Sequence, residues 1–170
     1  MQQESAGQGE CAFGFLTAVD SPVHGLFGGY LVVDGLGRPL EFHCTAPVKV
    51  SRAQQILYGP TLHGHLHGRQ IGAALLAEGS AGAAVVLTDL ESMLHVRPHT
   101  SLPVVLIQQA ELVTGDGRGF RLGGTLVSPH ATDTPRAAEL EQRLATLAAA
   151  VDLREPFERI RAALDEAQRH

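Results

Sequence analysis

Between residues 12 and 48 the chain alternates short apolar runs with turn formers. AFGFLTAV (12–19), FGGYLVV (27–33) and PLEFHCTAPV (39–48) are separated by DSPVHG and DGLGR. Such runs, bounded by Gly, Pro and Asp, predict three strands joined as an antiparallel meander. In the third run Leu40, Phe42 and Cys44 alternate with Glu41, His43 and Thr45, which predicts that the apolar set faces the core. His24 and His43 fall on a loop and a strand surface.

The period then changes. Ser51 and Gln54, three residues apart ahead of Ile56, Leu57 and Tyr58, form a capping-box pattern. Gly59-Pro60 ends that helix, and a second is expected over 61–78, closed by Gly79. AAVVLTD is a short apolar strand ending at Asp89, ESMLHV a helix, and PVVLIQQ (103–109) another buried strand. GDGRG (115–119) is expected to turn a hairpin between ELVT and FRLGGTLV. In the final segment Pro135 suits a helix start, and Leu140, Leu144, Leu147 and Val151 make one apolar stripe. After Pro156, Phe157, Ile160 and Leu164 make another. The expected organisation is a flexible tail over 1–10 and a single α/β domain over 11–170, of which 133–170 is a C-terminal helical extension.

Composition narrows the classes. A chain of 170 residues, 44% hydrophobic and 18% charged, has the balance of a globular domain with its own core. No apolar run approaches the ~20 residues that span a bilayer. MQQESAGQGE has neither the basic nor the apolar region of a secretory signal. Two cysteines, Cys11 and Cys44, are too few for a disulfide framework, so a cytoplasmic location is expected. The net charge of −5 and a single lysine, Lys49, argue against gripping nucleic acid by bulk electrostatics, leaving at most a local patch of Arg52, Arg69 and Arg97.

HGHLHG (63–68) is the densest run of histidine. On a strand, His63, His65 and His67 would share a face; on a helix, His63 and His67 do and His65 turns away. Gly64, Gly68 and Gly72, spaced by four, make a smooth stripe on such a helix. Each glycine costs about 1 kcal/mol of helix propensity against alanine, a cost that makes sense where another backbone approaches closely. A zincin pattern needs Glu at position 64, and a JAMM-type pattern needs Ser and Asp at positions held by Ala73 and Leu76. Surface or packing histidines are the leading reading, with a zinc site on His63 and His67, joined by His43 or His24, as the alternative.

The element order β-β-β-α-β-α-β, with LTAVD ending the first strand at Asp20, GGY at Gly28-Gly29-Tyr30 and VVLTD ending the fourth strand at Thr88-Asp89, resembles the ribonuclease H-like fold. The resemblance implies a mixed sheet in which Asp20 and Asp89 converge to bind Mg²⁺ or Mn²⁺, ions that activate water and stabilise a phosphoryl transition state. Two departures accompany it. Gln54 stands where the family's first helix supplies a Glu, and the late-helix carboxylate falls to Glu139 or Asp133. Asp20 is followed by Ser21-Pro22, not the Asp-x-Gly turn of actin-like ATPases. Apart from the resemblance, Asp20 reads as a turn former and Asp89 as a helix N-cap.

The expected function is therefore a noncatalytic ribonuclease H-like interaction or assembly module without a cofactor, within a nucleic-acid-processing complex. Its partner would be a protein or a second copy, met through the C-terminal helices. The alternative is a Mg²⁺/Mn²⁺-dependent nuclease or phosphodiesterase using Asp20 and Asp89, and the third reading is a zinc-binding protein using His63 and His67.

Overall fold

In a computed structural model the chain forms a seven-stranded mixed sheet of order β3-β2-β1-β4-β5-β7-β6. The structure describes residues 11–112 and 119–169; the expected tail over 1–10 and most of the GDGRG turn lie outside them. The meander is present: β1 (Ala12–Ser21), β2 (Gly25–Val33) and β3 (Pro39–Cys44) pair antiparallel. β4 (Ala83–Thr88) and β5 (Val104–Gln109) run parallel to β1. The segment FRLGGTLV divides at Gly123, whose φ is +64°, into β6 (Phe120–Leu122) and β7 (Thr125–Pro129). β7 then pairs antiparallel with β5. Residues Ala110–Leu112 form a 3₁₀ turn, so Glu111 and Leu112 of the ELVT segment, expected to lead into the hairpin as a strand, are not extended.

Strand alternation assigns two core layers. Phe13 and Phe15 of β1 point to the side covered by α3 (Ala137–Ala148) and α4 (Glu155–Gln168). There they meet Leu140, Leu144 and Leu147, then Phe157, Ile160 and Leu164, all essentially inaccessible. Phe15 and Phe157 pack edge to face at 5.2 Å. The segment expected as an extension is thus a full layer of the domain, and its two apolar stripes are occupied by the sheet rather than presented to a partner.

Ala12, Leu16 and Ala18 point the other way, into a layer with Leu66, Ile71, Leu75, Met93 and Val96. This layer is built by a helical run over 62–78, here α2, and by a 3₁₀ segment, Glu91–His99, where a regular helix was expected. The centre of α2, His65–Gly72, is π-helical. Before it lies α1 (Arg52–Tyr58), capped reciprocally by Ser51 and Gln54 as the sequence predicts and ended at Gly59.

The Gly28-Gly29 pair has a packing reason. A Cβ on Gly28 would lie 2.4 Å from Ile71 of α2, and one on Gly29 would lie 2.6 Å from Ile160 of α4. The pair lets a helix sit close on each face of β2. The glycines of α2 are close-packed as their spacing suggests, against the 3₁₀ segment: Gly68 would place a Cβ 2.6 Å from the backbone carbon of His95.

β3 departs from its alternation pattern. Leu40, Phe42 and Cys44 are exposed, while Glu41 and His43 are partly covered. The cause is Glu41, whose carboxylate accepts from the backbone N–H of Ser80 and Ala81 and from the Ser80 hydroxyl. Those bonds fasten the edge strand to the turn before β4, and they hold the Glu41 pKa down at about 2, chiefly through the Ala81 N–H.

Candidate functional site

Because β1 and β4 are parallel with Leu16 opposite Thr88, the next residues, Thr17 and Asp89, are neighbours at the strand ends. The Thr17 hydroxyl donates to Asp89 Oδ1 at 2.7 Å. Arg161, reaching across from α4, forms a short ion pair with Asp89 Oδ2. Both carboxylate oxygens therefore have partners, and the negative charge is matched by a guanidinium. Asp89 does not cap the 3₁₀ segment that follows it, because the N-cap position belongs to Leu90 and lacks a side-chain bond.

Asp20 has a different setting. It lies three residues beyond Thr17, near the β1–β2 turn, so by alternation it falls on the α2 face, although at the end of its strand it also borders the groove beside α4 that Arg161 and Asp165 line. Its carboxylate is exposed and makes no hydrogen bond or ion pair among the described residues. Nor does it shape the turn, since the Ser21 hydroxyl accepts the Val23 and His24 backbone N–H groups. Asp20 lines a cleft of about 400 Å³ together with Lys49, Gln55, His63 and His67, over an apolar floor that includes Leu62 and Leu66. Asp89 lines a separate groove with Gln108, Arg154 and Arg161.

The other carboxylate and amide candidates are engaged elsewhere. The Gln54 side-chain oxygen accepts from the Ser51 N–H in the capping box, on an exposed helix. Asp133 is buried and bound by Arg97 through Nε and Nη2, and it also accepts the Val104 N–H at 3.0 Å. Arg97 is thus a buried-pair partner rather than part of a basic patch. Glu139 is exposed and paired with Arg136 and Arg143.

The histidines divide as a helix requires. His63 and His67 lie side by side, 5.5 Å between ring centroids and 11° between planes. His65 turns away to stack on Tyr58 at 4.4 Å. His67 Nδ1 is 2.5 Å from the Ser92 hydroxyl, and Ser92 is not part of the cleft lining. Burial, reinforced by His63 and opposed by Asp20, holds His67 below the usual imidazole pKa, so it is neutral at pH 7. His43 sits on the edge strand between Glu41 and Glu78, and His24 lines a groove beside α4. Among the described residues no group of three or more His, Cys, Asp and Glu side chains is placed to hold a metal ion.

Thr17, Arg161 and Ser92 had no visible signal in the sequence. Thr17 lies within an apolar strand string, and Arg161 is one of several arginines on an amphipathic helix. Only the pairing of β1 with β4 and the packing of α4 bring them to Asp89. Among models of known protein families and among curated proteins, none matches this chain.

Proposed function

We propose that the chain is a noncatalytic ribonuclease H-like module, acting through protein contacts as a homo-oligomer or with a protein partner. The observation that carries this reading is the state of Asp89, whose two oxygens are taken by Thr17 and Arg161. Two-metal phosphoryl chemistry needs several carboxylates converging on a pair of cations about 4 Å apart. At this point of the sheet Asp89 shares its groove with one further carboxylate, Glu158, and with two cations, Arg154 and Arg161, the second of which already holds it.

The strand order β3-β2-β1-β4-β5, with the meander antiparallel and β1, β4 and β5 parallel, supports the family resemblance. A contact role is supported by α1, which buries none of its residues and leaves Ile56 and Leu57 66% and 82% exposed. Leu40 and Phe42 add apolar surface on the edge strand β3.

The test combines light scattering with cleavage assays. Single-stranded, duplex and RNA–DNA hybrid substrates are incubated with the protein and Mg²⁺ or Mn²⁺. The expected result is an assembly larger than the monomer, or a complex with a co-purifying protein, and no cleavage. A monomer that cleaves nucleic acid with Mn²⁺, and loses that activity in Asp89→Asn, would overturn the proposal.

A further inference from the structure

Residues 42–77 contain no Asp or Glu, in a chain that has 18 of them and a net charge of −5. The same span carries Lys49, Arg52, Arg69 and four of the nine histidines. It folds as the end of β3, the loop after it, α1 and nearly all of α2, so the charge gap in the sequence becomes an acid-free sector of the fold. The rest of the chain sets all 18 carboxylates against the other ten cations.

This sector supplies most of the cleft of about 400 Å³ described above. Val48, Leu62 and Leu66 make its floor apolar, and Val23, 77% exposed, stands on its rim. Gln55 brings α1 to the cleft edge. Arg52 and Ile56, four residues apart, share the face of α1 next to Gln55, and Ile56 is exposed. Lys49 lines the cleft, exposed and with no ion pair or hydrogen bond among the described residues. Asp20 is the one carboxylate in the lining. It pairs across the sheet with Leu26, which in turn bridges to Val48, so two strand spacings, about 10 Å, separate its backbone from the Val48–Lys49 side. The cleft is thus an apolar hollow with unpaired cationic groups along one side.

We infer that this cleft and the adjoining face of α1 dock an acidic peptide segment of a protein partner, with an apolar side chain in the hollow and carboxylates beside Lys49 and Arg52. The inference rests on the reading of the chain as a protein-contact module and names the face that module uses. Charge complementarity sets the sign of the occupant. The hollow sets its kind. A bilayer surface presents no protruding side chain to a concave site, and a nucleic acid has no aliphatic anchor for Leu62 and Leu66. A symmetric pairing of two copies through this face would set Lys49 and Arg52 against their own counterparts.

Fluorescence anisotropy of the full chain with labelled short peptides tests the inference. The probe is a peptide of alternating Leu-Leu and Asp-Glu pairs. One control replaces its acids with Lys and a second replaces its leucines with Ser; phosphatidylserine vesicles and single-stranded DNA are run beside them. Saturable binding of the acidic probe is expected, weakened by added salt and lost in both controls. Lys49→Glu should weaken it about 3–10-fold, the size of reversing one exposed ion pair, and Ile56→Ser should weaken it as well. Asp20→Asn should tighten it, while Arg143→Gln on α3 should leave it unchanged. These positions are exposed, and circular dichroism verifies the fold of each variant. Equal binding of the Lys control, preference for the vesicles or the DNA, or binding unmoved by Lys49→Glu would overturn the inference. Failure of the acidic probe to bind would overturn it too; assembly still seen by light scattering, without cleavage, would then leave the contact role standing on another face.

Discussion

Gly68→Ala sets two effects of opposite sign against each other. In an unconstrained helix the substitution gains about 1 kcal/mol of propensity. Here the added Cβ would stand 2.6 Å from the backbone carbon and the Cβ of His95 and 2.8 Å from the Val96 nitrogen. Ordinary carbon contacts lie at about 3.5–4.0 Å, so the 3₁₀ segment would have to retreat by roughly 1 Å. It is poorly able to do so, because Met93 and Val96 are wholly buried and Arg97 is clamped to Asp133. Overpacking of this kind costs about 1–3 kcal/mol, and a backbone obstacle places it at the upper end. The net expectation is a loss of about 2 kcal/mol, or a fall of roughly 4–8 °C in Tm for a chain of this size. Gly64→Ala is the control. Its nearest obstacle is the ring of His95 at 2.8 Å, an exposed side chain able to rotate, so the outcome lies between neutral and a gain of about 1 kcal/mol. Denaturant unfolding of both variants measures the difference. A Gly68→Ala protein as stable as Gly64→Ala would refute the close approach of α2 to the 3₁₀ segment.

Three further expectations follow from single side chains. Asp133→Ala leaves the Arg97 guanidinium and the Val104 N–H without their partner and should cost about 3–5 kcal/mol by urea unfolding, with Asp133→Asn milder; a cost under about 1 kcal/mol would contradict the buried-pair role. Glu41, held down at about 2, contributes stability above its unfolded-state value near 4.5 that is lost as pH falls through that window toward 2; Glu41→Gln should flatten the acid limb of the stability–pH curve, and an unchanged limb would contradict the clamp. Leu57→Ser should change the stability of the isolated chain by no more than about 0.5 kcal/mol because Leu57 is 82% exposed, so a large loss in thermal unfolding would show that α1 is packed.

The sequence made the elements legible wherever the hydrophobic period was long or the cap chemistry specific. Ser51 and Gln54 announced α1, and the Leu140 and Phe157 stripes announced the C-terminal helices. The glycine stripe of α2 reported a close approach correctly, because only an approaching neighbour makes three glycines on one helix face worthwhile. β3 misled because an edge strand is half uncovered, and one long-range clamp, Glu41 to residues 80 and 81, decided which side is shielded. The role of 133–170 was underestimated because an amphipathic stripe shows that a face is buried, not what buries it.

The candidate site was legible residue by residue but not as a constellation. Asp20 and Asp89 stand out in the sequence, yet their alternation parity sends them to opposite faces of the sheet, a consequence of the β1–β4 register that no local pattern encodes. Asp20 instead joins His63 and His67 around one cleft, while Asp89 is claimed by Thr17 and Arg161.

An NMR titration of the labelled protein with Mg²⁺ reads the state of Asp89 directly. Amide resonances of Thr17, Thr88, Asp89 and Leu90 should show no saturable shift well beyond cellular Mg²⁺ levels, because the carboxylate is already held by a hydroxyl and a guanidinium. A saturable shift centred on those residues and abolished by Asp89→Asn would contradict it, placing a divalent cation where Arg161 pairs with Asp89.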